Sequence, residues 1–270
     1  MGARMRKLIE FSCGGETLIG TLDEAPGTTG LLIVSGGNEI RIGAHRGQAL
    51  LAQQVAAELG APVFRYDRRG IGDSTGENGG FETTRDDMAA AVAAFREHAP
   101  QIERLVAFGN CDAATSLAFF HEQAGCDALL LANPWVIEEE SDTPPAAAIK
   151  ARYAAKLKDP KEWLRLMRGG VNIVKLAKGL SKVAGKSPAS APEGLAARMA
   201  SCLDASPVPV TVLLAKGDNT AIAFADAWKG ERFARIRTRV VFHELDSDSH
   251  SFARAGDKAW LFERVREALQ

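Results

Sequence analysis

The stretch Phe108-Gly109-Asn110-Cys111-Asp112-Ala113-Ala114 places a thiol between an apolar run and the start of a helical pattern. Glycine lies two residues before the cysteine and alanine two after it. This is the G-x-Nu-x-G spacing of a nucleophile elbow, with Cys in place of Ser and Ala in place of the second Gly. Small residues at both positions let the strand and helix backbones approach closely around a strained turn. Backbone N–H groups and the dipole at a helix N-terminus favour the thiolate form of a cysteine. Such a residue suits covalent acyl chemistry, in which thiolate attacks a carbonyl and a base manages the proton.

Five histidines are present. His250, in "HELDSDSHSFAR", follows the last expected strand and precedes the last expected helix, so it is the candidate base. His98 and His121 fall in or at the ends of expected helices and read as exposed. His243 lies within a strand, and His45 opens a helix. The orienting acid is expected after the penultimate strand, where "LLAKGDNTA" supplies Asp218, with Asp246 and Asp248 as rivals. Oxyanion donors are expected from the backbone N–H of Asp112 and from Gly37 or Asn38 in "SGGNEIRIG". Arg41 and Arg46, leaving that loop, are candidate contacts for a substrate carboxylate or phosphate.

These residues need a scaffold that brings distant loops to one edge. "KLIEFSC" and "TLIGTLDE" alternate around Gly14-Gly15 as a hairpin. "GLLIVSGG" and "RLVAFGN" are short continuous apolar runs, the mark of strands buried on both faces. Strands at "APVFRYD", "DALLLANP", 208–218 and 239–246 alternate with helices at 44–59, 82–98, 112–124, 221–229 and 253–268. That rhythm implies an α/β fold with a mostly parallel sheet flanked by helices.

Residues 137–205 interrupt the rhythm. From Ser141 to Leu203 there are twelve Lys/Arg against four acidic residues, although the whole chain carries a formal charge of −1. This reads as a basic helical lid inserted between core segments 1–136 and 206–270, with spacings at Trp163, Leu166 and Met167 that suit amphipathic helices.

Composition narrows the function classes. The chain has 270 residues, 46% hydrophobic and 25% charged, which suits a globular enzyme and gives no general attraction to nucleic acid or membrane. No apolar run approaches a membrane span, and Cys13, Cys111, Cys126 and Cys202 lack zinc-ligand spacing. Neither metal nor cofactor is expected, and a cytoplasmic setting is. Oligomeric state is not legible.

The motifs together resemble the α/β-hydrolase superfamily over nearly the whole length. "DRRGIGDSTG" (67–76) is similar to its D-x-R-G-x-G-x-S segment. "GGNEIRIGAHRG", "YDRRGIGDSTG", "GNCDAA" and "KGDNTA" together resemble the exosortase A system-associated hydrolase 1 family, which accompanies bacterial exopolysaccharide and protein-sorting systems. Many relatives place the acid as G-x-x-D, whereas here glycine immediately precedes Asp218. The resemblance implies an eight-stranded sheet and a hydrolase cleaving an ester or thioester through Cys111, His250 and Asp218, on a small-molecule or saccharide-linked acyl substrate. Cysteine elbows also occur in acyl-transferring polyhydroxyalkanoate synthases, so acyl transfer is the alternative enzyme class. A non-catalytic binding or scaffold protein on the same fold is the alternative outside enzymes.

Overall fold

The structure, a computed structural model, describes residues 6–138 and 194–270. Most of the interval read as a basic lid, residues 139–193, lies outside the described residues. At its C-terminal end a helix at Leu195–Ala205 packs on the main body through Met199, Ala200 and Leu203.

The strands are β1 (Arg6–Cys13), β2 (Glu16–Asp23), β3 (Thr29–Val34), β4 (Val63–Tyr66), β5 (Arg104–Asn110), β6 (Ala128–Ala132), β7 (Val210–Ala215) and β8 (Val241–Leu245). They form one sheet in the order β1-β2-β4-β3-β5-β6-β7-β8. β1 and β2 pair antiparallel, as do β2 and β4, and every other pairing is parallel. Among the described residues the helices are α1 (Gly47–Gln54), α2 (Arg85–His98), α3 (Asp112–Ala124), α4 (Leu195–Ala205), α5 (Asn219–Trp228) and α6 (Ala255–Leu269).

The continuous apolar strands are buried on both faces because each face meets a helical layer. Successive side chains alternate between the faces. Leu32, Val34, Leu105, Ala107, Leu129, Leu131, Val212 and Leu214 join one core with α2, α3, α4 and α5. Leu31, Ile33, Val106, Phe108, Leu130 and Leu213 join the other with α1 and α6. The central strands are therefore fixed in register, since a one-residue slip would exchange every side chain between two differently shaped layers.

Some elements depart from their expected bounds. The helix expected over 44–59 is broken at its start, because His45 and Arg46 take left-handed φ values of 52° and 60°. It then runs as α1 and finishes in a π turn over Val55–Leu59, stopped by Gly60 at φ 69°. Strand β8 begins at Val241 because Ile236–Thr238 forms a 3-10 turn that draws the Arg239 and Val240 N–H groups back to the Ile236 carbonyl. His121, read as exposed, is buried: one ring nitrogen lies 2.8 Å from Ser206 Oγ and the other faces the Leu117 carbonyl. Burial is the main influence on its pKa and lowers it.

Candidate active site

The elbow is a strained turn between β5 and α3. Cys111 has φ 64° and ψ −128°, outside the usual range for a residue with a side chain. The small flanking residues explain how the turn closes. A Cβ on Gly109 would stand 2.8 Å from the Ala113 carbonyl carbon, so the strand meets the helix there with no room for a side chain. The Cys111 N–H donates to the Ala132 carbonyl of β6, and its own carbonyl accepts from Ala114 and Trp135. These bonds hold the half-buried thiol at the carboxyl edge of the sheet, where open α/β sheets place their sites.

The β7 and β8 loops converge on the same edge. His250 Nδ1 lies 3.0 Å from Asp218 Oδ2. With Nδ1 turned to the acid, Nε2 is the ring nitrogen left for the thiol, and the influence of Cys111 on the imidazole raises its pKa. The hydrogen bond to Asp218 and then the influence of Cys111 outweigh the opposing cost of burial, and raise the His250 pKa to about 10. The ring is therefore imidazolium at neutral pH, the form that stabilises an adjacent thiolate.

Asp218 is fixed by a second task. It caps α5: its Oδ2 accepts from the Thr220 and Ala221 N–H groups at 3.1 and 3.0 Å, which leaves little freedom to rotate away from His250. The glycine immediately before it has a physical reason. The Gly217 N–H donates to the Ser247 carbonyl at 2.8 Å, and a Cβ on Gly217 would lie 2.9 Å from that of Asp248. Glycine lets the acid's loop rest against the histidine's loop. The rival acids stand elsewhere: Asp246 is exposed, and Asp248 is exposed and paired with Arg254.

Two asparagines that sequence reasoning passed over complete the support. Asn110 and Asn133 both donate from Nδ2 to the His250 carbonyl, at 3.1 and 3.0 Å. Asn133 also donates to Asn110 Oδ1 at 3.0 Å, and its own Oδ1 accepts from the Ala215 N–H at 2.9 Å. Fully buried, with φ 41°, Asn133 joins the ends of β5, β6 and β7 to the histidine loop. The available signal was a polar residue closing each of two apolar strands.

The expected oxyanion residues adjoin the thiol, but not as an open pair of donors. The Asp112 N–H is the first of α3 and has no partner within its own helix. The Gly37 N–H donates to Asp112 Oδ1 at 2.6 Å. Asn38 is exposed, and its side-chain oxygen accepts from Asn78 Nδ2 at 2.9 Å. Arg41 is turned away from the cleft: it pairs with the fully buried Asp67 and with Asp73, and donates from Nε to Thr21 Oγ1. Arg46 is exposed on the left-handed turn before α1. Neither arginine is among the described residues that line the cleft at Cys111: Arg41 is paired with Asp67 and Asp73, and Arg46 is exposed on the turn before α1.

The "DRRGIGDSTG" loop braces the oxyanion loop. Asp67 accepts from the Arg41 N–H at 2.5 Å, the Ser74 hydroxyl donates to the Asp67 carbonyl, and the buried Arg68 donates from Nη2 to the Gly37 carbonyl. Among the described residues no group of three or more His, Cys, Asp or Glu is arranged to hold a metal ion, and no helix is long and apolar enough to cross a membrane.

A cleft of about 640 Å³ opens beside Cys111, Asp112 and Gly37. Its other described walls include the apolar Phe81, Trp135, Ile137 and Leu195, together with Glu82 and Glu138. Its volume is within the range of small-molecule sites.

A mostly parallel eight-stranded sheet with an elbow after β5 and a histidine after β8 defines an α/β-hydrolase. Residues 14–217 match the family model described as serine aminopeptidase, S33, and the chain belongs to that hydrolase family. The matched span includes the elbow, where the chain has Cys111 rather than serine, and ends just before Asp218. Among solved structures, the chain is similar to the Pyrococcus furiosus esterase Pf2001, with a TM-score of 0.67 at 16% identity, covering 99% of this chain and 90% of that one. It is also similar to the α/β-hydrolase GrgF from Penicillium sp. sh18, with a TM-score of 0.64 at 18% identity and 98% of each chain covered. The thioesterase domain from the curacin biosynthetic pathway gives 0.56 at 14% identity, with 99% of each chain covered. These likenesses are of fold. No curated protein matches the sequence.

Proposed function

We propose that the protein hydrolyses a carboxylic ester or thioester through an acyl-cysteine formed on Cys111. The observation that carries this reading is the position of His250, paired through Nδ1 with the Asp218 carboxylate at 3.0 Å and electrostatically coupled to Cys111 on the elbow. The Cys111 thiolate attacks the acyl carbonyl, and the carbonyl π pair moves onto oxygen. Backbone N–H donors at Asp112 and Gly37 receive that oxyanion. As the tetrahedral species collapses, the His250 imidazolium gives its proton to the departing alkoxide or thiolate. Neutral His250 then takes a proton from water, whose oxygen attacks the acyl-cysteine. Collapse of the second tetrahedral species expels the Cys111 thiolate from the carboxylic acid product and leaves His250 as imidazolium, the starting state.

The esterase and thioesterase neighbours accord with this substrate class. The resemblance of four motifs to the exosortase A system-associated hydrolase 1 family supports a saccharide-linked or small-molecule acyl substrate in bacterial exopolysaccharide or sorting chemistry; the chain is proposed to act in the cytoplasm. The basic interval within 137–205 is proposed as a lid over the cleft. Iodoacetamide is expected to abolish p-nitrophenyl acetate and acyl-thioester turnover in step with carbamidomethylation of Cys111, followed by peptide mass spectrometry. Full turnover by protein alkylated at Cys111 would defeat the proposal.

A further inference from the structure

The oxyanion loop and the elbow are in unusual contact. Asp112, the residue after the nucleophile, turns its carboxylate back onto the Gly37 N–H at 2.6 Å, so a donor needed by a tetrahedral oxyanion is already engaged by an anion of the protein itself. The fit is specific. A Cβ on Gly36 would lie 2.6 Å from Asp112 Oδ1 and 2.6 Å from the Asn110 carbonyl oxygen, so only a glycine leaves the recess that the carboxylate fills. Gly37, at φ 55°, presents its N–H to that recess while its carbonyl is held by Arg68. Arg68 is 2% exposed, and its Nε and Nη1 have no hydrogen-bond partner among the described residues. The loop is thus gripped from behind by a guanidinium and plugged from the front by a carboxylate.

We infer that the Asp112 carboxylate is a built-in occupant of the oxyanion hole, displaced by the substrate's carbonyl oxygen before Cys111 is acylated. This rests on the acyl-cysteine chemistry proposed above and names Asp112 as the residue that sets how demanding the site is. A bond between N–H and carboxylate is charge-assisted and stronger than one to a neutral carbonyl. A simple ester carbonyl is therefore a poor competitor until negative charge develops on its oxygen. Even then, a carboxylate left nearby opposes that charge. Through its contact with Gly37 the side chain works against acylation of unspecialised esters, an effect that reactions without an oxyanion do not feel.

That distinction supplies the test. Alkylation of Cys111 by iodoacetamide displaces iodide and forms no oxyanion, whereas acylation by p-nitrophenyl acetate does. An acid in the first turn of α3 also acts on the helix dipole. Any effect through that route changes thiolate reactivity and moves both rates together. Asp112→Ala removes the occupant, whereas Asp112→Asn keeps the shape with a weaker, neutral acceptor. By the usual strength of a hydrogen bond to a charged group, the pre-steady-state acylation rate of Asp112→Ala should rise about tenfold or more over its alkylation rate. Asp112→Asn should fall between Asp112→Ala and wild type. Wild-type acylation that neither variant raises relative to alkylation would overturn the inference alone. Absence of Cys111-dependent acylation from all three proteins, with alkylation intact, would overturn the acyl-cysteine reading and this inference with it.

Discussion

Replacing Cys111 with alanine is expected to lower kcat/KM for p-nitrophenyl acetate about ten-thousand-fold or more, the scale on which hydrolases lose activity without their nucleophile. The variant is informative because it adds no backbone penalty. The φ of 64° at this position already carries the cost of a Cβ, and alanine bears the same Cβ as cysteine. The urea unfolding midpoint should therefore stay close to wild type while turnover disappears. The loss should fall on kcat, since the exchange leaves the cleft walls at Phe81, Trp135 and Leu195 unchanged. A variant that keeps wild-type kcat/KM would show that the thiol is not the nucleophile.

Asp218→Asn is expected to cost roughly a thousand- to ten-thousand-fold in kcat, the loss seen when a triad acid is neutralised with its geometry kept. Asparagine is as good a helix cap as aspartate, so the start of α5 should survive the exchange. What is lost is the charge beside His250 Nδ1. In the wild type, the bond to Asp218 is the largest of the influences that hold the imidazole pKa at about 10, against an unperturbed 6.5. Removing it moves that pKa downward, so the alkaline limb of the kcat/KM profile should shift toward neutral pH. The same pair contributes to folding stability with a definite sign. A pKa raised on folding adds stability that is fully present below pH 6.5 and is lost as pH rises through about 10. Urea unfolding of the wild type should show that decline, and Asp218→Asn should flatten it. Equivalent substitutions at Asp246 or Asp248 should leave both profiles unchanged. The opposite pattern would transfer the orienting role to one of them.

The sheet was largely legible because its signals are local. Runs such as Leu31–Val34 and Leu105–Phe108 are apolar on both alternating faces, and a strand covered on both faces requires that. The elbow was legible for a similar reason: the contact that demands small residues, Gly109 against Ala113, spans only four positions. Bonds between residues far apart in the chain were not. A polar residue closing an apolar strand marks Asn133, but its partner, the His250 carbonyl, is far away in the chain, and nothing near Asp112 announces that its carboxylate reaches Gly37. Arg41 looked available because its partners Asp67 and Asp73 arrive from another loop. His121 misled for the opposite reason. Position in a helix says little about exposure when α3 is covered by the sheet on one side and by α2 and α4 on others, where even Thr115 and Ser116 are fully buried.

The defining event of the proposed reaction is the passage of an acyl group through Cys111. Its most direct test is acid quenching of the wild-type protein during p-nitrophenyl acetate turnover, with peptide mass spectrometry of the Cys111 peptide. One acetyl group is expected on the Cys111 thiol, removed by hydroxylamine and absent from Cys111→Ala. Sustained turnover with Cys111 unacetylated, or with the acetyl group on another side chain whose loss stops the reaction, would contradict it.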